Sequence, residues 1–175
     1  MPYKAIISTY KLFGYNTGMD ETTKNIIARI TQKTPTSQVI PSGHSVTVFY
    51  DCLSLTPNEL ARLAADAIGD LPSDFFDVAV GIAYNGISFA NAVAGGRQVA
   101  ILQADKKICG PSIKDKKIII VDDVAHSGQR LVEAKKLVEA QGAIVIGYAC
   151  IVDRSEGKIE TLDKPLWSAY QTIME

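Results

Sequence analysis

The chain has 175 residues, of which 47% are hydrophobic and 21% are charged, and its formal net charge is -1 at pH 7. This length fits one domain with a substantial core and is short for two ordinary domains. The near-zero charge disfavours nucleic acid or a membrane surface as a partner, and no apolar run reaches the ~20 residues of a membrane span. The widely spaced cysteines form no CxxC pair and indicate reduced thiols, so we expect a cytoplasmic protein.

The first part of the chain predicts two helices and a strand. Asp20 is a suitable cap for a helix whose apolar stripe lies within residues 26–30. Ser45–Tyr50 alternates in the manner of a strand. Thr56–Glu59 has the order of a capping box with proline at the first helical position, and Leu60–Ile68 continues with apolar residues at helical spacing.

From Asp77 onward, strands and helices alternate. The predicted strands outside the segment described next are Val78–Val80, Val99–Leu102 and Ile144–Val152. A glycine-rich turn, Gly81–Gly86, joins the first of them to a helix of small residues. Alternation of this kind implies right-handed crossovers and a mostly parallel sheet. The predicted fold class is therefore α/β, with the first ~40 residues and the polar tail after Asp153 as additions.

The most informative segment is Ile118–Gln129. Its four consecutive β-branched residues predict a strand buried on both faces, and two carboxylates, Asp122 and Asp123, follow where that strand emerges. A turn at Ser127 and Gly128 then opens a helix, Arg130–Gln141. Ligands of such sheets lie outside the carboxyl ends of the strands, where free amides at a helix start bind anions. Carboxylates beside an anion site suit a sugar phosphate, or a phosphate with a metal.

Two common nucleotide fingerprints, GxxxxGK[ST] and GxGxxG, do not occur in the chain. Val121–Gly128 instead resembles the phosphoribosyl-diphosphate (PRPP) motif of type I phosphoribosyltransferases, in which a strand, an acidic pair, a turn and a helix follow in fixed order. The resemblance implies that Asp122 and Asp123 hold the ribose hydroxyls and act in catalysis. It implies a 5′-phosphate site at Ala125, His126, Ser127, Gly128 and Gln129. A solvated corner with Ser127 as a simple helix cap is the alternative interpretation.

A second segment, Gly81–Ile87, is similar to the diphosphate-binding loop of the same family, in the form seen in orotate phosphoribosyltransferases. Glycines allow the backbone to approach an oxyanion, so that successive amides point at it. The residues that the resemblance assigns to the diphosphate are Ala83, Tyr84, Asn85, Gly86 and Lys107. A purely structural glycine-rich turn is the alternative.

Two further segments resemble the orotate branch of the family. Ser42–Asp51 is similar to the N-terminal segment that helps to cover the base, and Ile151–Arg154 is similar to the strand end whose arginine meets a carboxylated pyrimidine. A guanidinium fork suits a planar carboxylate, so Arg154 is assigned to the base. His126 is assigned to the 5′-phosphate if charged and to the base if neutral. The alternative for both residues is a solvated side chain.

The stretch Leu102–Gly110 departs from the family pattern. It is short and lacks the opening basic pair, so we assign catalysis to Lys106, with Lys107 as a substitute cation. Asn85 also stands where some members have lysine, and His126 stands where threonine is common. Loss of one donor to a departing diphosphate can cost ~100-fold in rate. The candidates to compensate in part are the remaining lysines Lys106, Lys107, Lys114, Lys116 and Lys117, although a solvated charge run is the commoner role of such residues.

The resemblance implies one type I phosphoribosyltransferase domain, with a mostly parallel sheet of about five strands flanked by helices and a small N-terminal hood. The core is assigned to residues 77–153 and the hood to residues 1–50. The implied reaction transfers ribose 5-phosphate from PRPP to a nucleobase. Mg²⁺ is implied as cofactor, meeting Asp122 and Asp123 through the ribose or water, and a homodimer is implied as assembly. Two alternatives stay open: a non-catalytic ribose-phosphate-binding regulatory protein, and a purine phosphoribosyltransferase.

Overall fold

The computed structural model describes residues 20–39, 45–155 and 162–172. Of the predicted hood, residues 1–19 and 40–44 lie outside this part of the chain, and so does the start of the segment assigned to base covering. No helix among the described residues is both long enough and apolar enough to cross a membrane.

The N-terminal region contains the two predicted helices and the predicted strand, together with one strand, β1, that was not predicted. Helix α1 (Glu21–Ile30) begins at Asp20, whose carboxylate accepts a hydrogen bond from the Thr23 amide at 2.8 Å. Strands β1 (Thr31–Val39) and β2 (Ser45–Tyr50) then form an antiparallel pair. After a short 3₁₀ turn, helix α2 (Pro57–Ile68) starts with the predicted capping box, in which both reciprocal hydrogen bonds are present. The antiparallel pair β1–β2 confirms the expected small N-terminal addition to the sheet.

Within the described residues, the central sheet contains seven strands. They are β3 (Val78–Ile82), β4 (Gln98–Leu102), β5 (Ile108–Cys109), β6 (Lys117–Val121), β7 (Val124–Ala125), β8 (Ile144–Asp153) and β9 (Leu166–Gln171). Their order is β5-β4-β3-β6-β8-β7, and β9 also pairs with β8. The five longer strands are all parallel, as predicted, while the two-residue strand β5 pairs antiparallel with β4. Helices α3 (Gly86–Ala94) and α4 (Gln129–Glu139) are the crossovers that flank the site.

Strand β6 lies between two hydrophobic cores, as its β-branched run predicts. Ile119 and Val121 pack in the core that includes residues of α1, α2 and α3, whereas Ile118 and Ile120 pack in the core on the α4 side. All four side chains have no exposed surface. Because both faces are buried, the end of β6 is held rigidly where the acidic pair begins.

The chain after Asp153 was predicted to be a polar tail, but it contains strand β9, which extends the sheet beyond the predicted core. Trp167 of β9 packs against Gly147 of β8, where an added Cβ would lie 2.2 Å from the tryptophan Cζ3 atom. This strand was not predicted, although its buried and partly exposed residues alternate as in a half-buried strand, because the residues around it give the tail a polar and mixed composition.

We expect Gly147→Ala to lower the free energy of unfolding by about 1–3 kcal/mol, the usual cost of overpacking. Denaturant unfolding measures this loss. Adding Trp167→Phe to the same chain should recover part of it, because the smaller ring vacates the contact. A Gly147→Ala midpoint equal to that of the parent would contradict the packing of β9 on β8.

Candidate active site

The carboxyl ends of three parallel strands meet at one edge of the sheet. Gly81 at the end of β3 pairs with Val121 at the end of β6, and Val121 pairs in turn with Ala149 of β8. The glycine-rich turn therefore lies beside the acidic pair, as predicted from the general position of ligands in open α/β sheets.

The two carboxylates are buried and their backbone is fixed by β8. Asp122 is 1% exposed and Asp123 is 6% exposed. The Asp122 amide donates to the Ala149 carbonyl at 3.0 Å, and the Asp123 carbonyl accepts from the amides of Ile151 and Val152 at 2.9 and 3.1 Å. The Asp123 amide also donates to Oδ1 of Asp122 at 3.0 Å. These contacts fix the backbone of two adjacent acidic residues at the carboxyl end of β6.

Burial, followed by the charge of Asp123, raises the pKa of Asp122 well above its ordinary value of 3.8. The guanidinium of Arg130 opposes this shift, with Nη1 3.2 Å from Oδ2 of Asp122. Burial and then the charge of Asp123 also raise the pKa of the Cys52 thiol, which lies in the 3₁₀ turn after β2. The site therefore holds two carboxylates in a poorly hydrated environment. Hydrogen bonds donated by the hydroxyl groups of a ligand would stabilise these carboxylates strongly there.

The predicted diphosphate loop joins β3 to α3 directly against the acidic pair. The Asn85 side chain donates to Oδ2 of Asp123 at 3.0 Å, and the Ala83–Tyr84 peptide bond is cis. Tyr84 is 77% exposed. A Cβ on Gly86 would lie 2.7 Å from the Val121 carbonyl oxygen, so only glycine allows α3 to start so close to the end of β6.

The predicted 5′-phosphate turn leads from β7 into α4. The Ala125 carbonyl accepts the Arg154 amide at 2.7 Å, and His126 and Ser127 are exposed. Gly128 has a φ of 73° and is the N-cap residue of α4, while the Ser127 hydroxyl accepts a hydrogen bond from the Gln129 amide at 3.4 Å. The phosphate site and the solvated corner both stay predictions. Gln129 begins the helix. The first amides of a helix have no intrahelical acceptor, and the helix dipole favours an anion at this position.

The two lysines assigned to the site lie on the hairpin between β4 and β5. Lys106 has a φ of 68° in a tight turn, and the Gln103 amide donates to the Lys107 carbonyl at 2.8 Å. Nζ of Lys107 is 3.0 Å from a carboxylate oxygen of Asp105. The hairpin lies next to the diphosphate loop, since the Ala83 amide donates to the Leu102 carbonyl at 2.9 Å. Their roles at the ligand remain predictions.

Three of the lysines proposed to compensate for the missing cations, Lys114, Lys116 and Lys117, lie at the amino ends of the strands, opposite the site. Lys117 begins β6, and its amide donates at 2.8 Å to the carboxylate of Asp77, the residue before β3. Lys114 and Lys116 precede it in the chain. The acidic pair follows the opposite end of the same strand, so this prediction was wrong: the length of β6 separates these cations from the site.

Arg154 lies beneath the N-terminal antiparallel pair. Its Nη1 donates to the Val48 carbonyl at 3.0 Å, and its guanidinium carbon is 5.7 Å from the centre of the Tyr50 ring. The end of β8 and strand β2 are thereby joined at the edge of the site. Contact with a base stays a prediction, and the Ser42–His44 part of the covering segment lies outside the described residues.

Arg130 was not predicted as a site residue. The structure brings its guanidinium to Asp122 and, through Nη2, to within 3.3 Å of the Ala83 carbonyl oxygen. A signal was present, because a cation in the first turn of a helix opposes the helix dipole. Such a local conflict is expected where a residue serves function rather than folding.

Residues 98–168 match the sequence profile of the phosphoribosyl transferase domain. An orotate phosphoribosyltransferase of Sulfurisphaera tokodaii is 32% identical over 117 residues, 62% of this chain and 56% of that protein. The corresponding enzyme of Sulfolobus acidocaldarius is 30% identical over 136 residues, 71% of this chain and 68% of that protein. An adenine phosphoribosyltransferase of Corynebacterium diphtheriae is 35% identical over 136 residues, 65% of this chain and 72% of that protein.

The fold is also similar to solved structures. Orotate phosphoribosyltransferase of Mycobacterium tuberculosis in complex with PRPP superposes with a TM-score of 0.66 and 18% identity, covering 86% of this chain and 94% of that one. At this identity the likeness concerns the fold alone. The chain spans 56% of the length of its Sulfurisphaera tokodaii relative.

Proposed function

This chain belongs to the phosphoribosyltransferase family, and on that premise we propose that it transfers ribose 5-phosphate from PRPP to a nucleobase and releases diphosphate. The observation that carries the proposal is the buried acidic pair at the edge where two anion-binding turns meet. Carboxylates there accept hydrogen bonds from the two ribose hydroxyls. The turn from Ala125 to Gln129 receives the 5′-phosphate, and the loop from Ala83 to Gly86 receives the diphosphate.

In the proposed reaction, the C1′–O bond to the diphosphate breaks and a C1′–N bond to the base forms. The ribose gains positive character as the diphosphate leaves, and the charges of Asp122 and Asp123 favour that character. Fixing the ribose through its hydroxyls and its phosphate also holds C1′ in line with the base, which removes much of the entropic cost. Lys106 and Lys107 are the proposed hairpin cations for the leaving group.

The donor set fits a magnesium ion that arrives with its ligand. No group of three or more His, Cys, Asp or Glu side chains suited to a metal occurs among residues 20–39, 45–155 and 162–172. Mg²⁺ commonly binds through one or two carboxylates together with substrate phosphates. Asp122 and Asp123 are proposed to meet it through the ribose or water. When bound, the ion supplies positive charge to the diphosphate.

For the base, we propose a carboxylated pyrimidine of the orotate type. Arg154 supports this choice, because its guanidinium lies at the site edge next to β2 and suits a planar carboxylate. The adenine enzyme of similar identity makes a purine the second candidate. We also propose a homodimer, as the family resemblance implies, and a cytoplasmic location, which the three free cysteines favour.

A calorimetric titration with Mg²⁺ and PRPP, followed by diphosphate-release assays with orotate, uracil and purines, tests this function. We expect saturable PRPP binding and release with orotate. Release with a purine alone would move the assignment to the purine enzymes. No binding of PRPP would refute the proposal as a whole.

The non-catalytic alternative keeps one supporting observation. The β4–β5 hairpin is short, and the Lys107 ammonium is already paired with Asp105. PRPP binding without diphosphate release on any of the bases would favour a ribose-phosphate-binding regulatory protein. Turnover with any base would exclude it.

A further inference from the structure

The proposed diphosphate loop has no cation of its own. Ala83, Tyr84, Asn85 and Gly86 offer backbone amides and one side-chain amide, and that side chain is bonded to Asp123. Two buried carboxylates lie directly behind the loop. A diphosphate carries several negative charges, so a site that faces it with carboxylates needs a nearby positive group.

Arg130 is a cation that contacts this loop. Its guanidinium lies between the loop and the acidic pair, with Nη2 3.3 Å from the Ala83 carbonyl oxygen and Nη1 3.2 Å from Oδ2 of Asp122. The first contact is a hydrogen bond and the second is an ion pair, so at least three of the five N–H donors of the arginine are not used by them. The side chain is 45% exposed, so the group that Asp122 anchors also reaches the surface of the site.

We propose that the Arg130 guanidinium binds the diphosphate of PRPP and makes the site prefer PRPP to ribose 5-phosphate. This inference rests on the proposed function. A guanidinium fork matches phosphate oxygens bidentately. Its anchoring to a buried carboxylate lowers the entropy lost when the ligand binds. The charge comes from the first turn of α4, so the same turn that receives the 5′-phosphate also supplies a cation to the other end of the ligand.

A merely structural role for Arg130 predicts a different result. As a counter-ion of Asp122 alone, it would hold the ribose acid in place, and its loss would weaken every ligand that contains ribose. As a diphosphate ligand, it affects only ligands that contain diphosphate. The ratio of PRPP affinity to ribose 5-phosphate affinity therefore separates the two roles.

The test titrates PRPP, ribose 5-phosphate and inorganic diphosphate, each with Mg²⁺, into the full chain and into two variants. Arg130→Met removes the charge, and Arg130→Gln removes it while keeping a polar side chain. We expect both variants to lose about 10- to 100-fold in affinity for PRPP and for diphosphate. Affinity for ribose 5-phosphate should change by less than about threefold. Lys116→Met, with the same change of charge on an exposed residue at the far edge of β6, serves as control and should alter none of the three.

An unchanged ratio of PRPP to ribose 5-phosphate affinity in the Arg130 variants overturns the inference and leaves the proposed function intact. An equal loss for both ribose ligands overturns it in favour of the counter-ion role. Absence of PRPP binding by the parent chain refutes the proposed function itself. If Arg130→Met does not fold, as circular dichroism would reveal, the Arg130→Gln ratio decides.

Discussion

The double substitution Asp122→Asn with Asp123→Asn is expected to abolish PRPP binding. Each hydrogen bond from a ribose hydroxyl to a charged acceptor contributes about 1.5–3 kcal/mol, and each 1.4 kcal/mol is a factor of ten. Removing both charges should weaken binding on the order of 1,000-fold, beyond the range of a calorimetric titration. Unchanged affinity would show that the acidic pair is not the ribose site.

The same variant should keep its fold, and the pH dependence of its stability provides the control. Asp122 has a pKa raised above 3.8 by burial first and then by Asp123, so the folded state binds its proton more tightly than the unfolded state. Its contribution to stability is present below about pH 3.8 and is lost as the pH rises through the folded pKa. Thermal unfolding at pH values rising above about 3.8 should therefore show the variant gaining stability relative to the parent. A variant that loses stability as the pH rises would contradict the burial of this charge.

The acidic pair could be predicted because the information for it is local. A run of β-branched residues specifies a strand buried on both faces, and a charged residue that follows it must leave the sheet at the carboxyl edge. The observed β6, with four fully buried side chains and then Asp122, follows this logic directly. Capping at Asp20 and Thr56 was equally local and was also confirmed.

The charges around the site were less predictable. Arg130 contacts a carbonyl 47 residues away along the chain. The spacing of hydrophobic residues, which predicts helices and strands, carries no information about a contact between two turns. Lys114, Lys116 and Lys117 were assigned on charge alone, although the direction of β6 already puts them at its amino end. Cations on long side chains carry little positional information, because their reach exceeds the spacing of the elements that bear them.

The structure also connects the two halves of the proposed site. Asn85 joins the diphosphate loop to Asp123, and Arg130 joins the same loop to Asp122. Both contacts converge on the pair that is fixed by the backbone of β8. The loop is therefore joined to the acidic pair by a hydrogen bond and an ion pair as well as by packing, and Gly86 lies against the backbone of Val121 and Asp122.

Substitution Gly86→Ala is expected to damage both stability and function. Helix propensity alone predicts a gain of about 1 kcal/mol, because alanine is the better helix former. The added Cβ, however, would lie 2.7 Å from the Val121 carbonyl oxygen and 3.0 Å from Cα of Asp122, and both are backbone atoms that cannot swing aside. We expect a net loss of about 1–3 kcal/mol in denaturant unfolding. Turnover should fall on the order of 100-fold, as when a catalytic group is displaced by about 1 Å.

The matched control is Asn91→Ala on the exposed face of the same helix. Its side chain donates to the Ile87 carbonyl of its own helix at 3.0 Å and does not approach the acids. This variant receives the benefit of alanine without the clash, so its unfolding midpoint and PRPP affinity should stay close to those of the parent. If Gly86→Ala left stability unchanged or raised it, a Cβ at the start of α3 would fit without a clash. The close approach of α3 to the acidic pair would then not be what positions the two halves of the site.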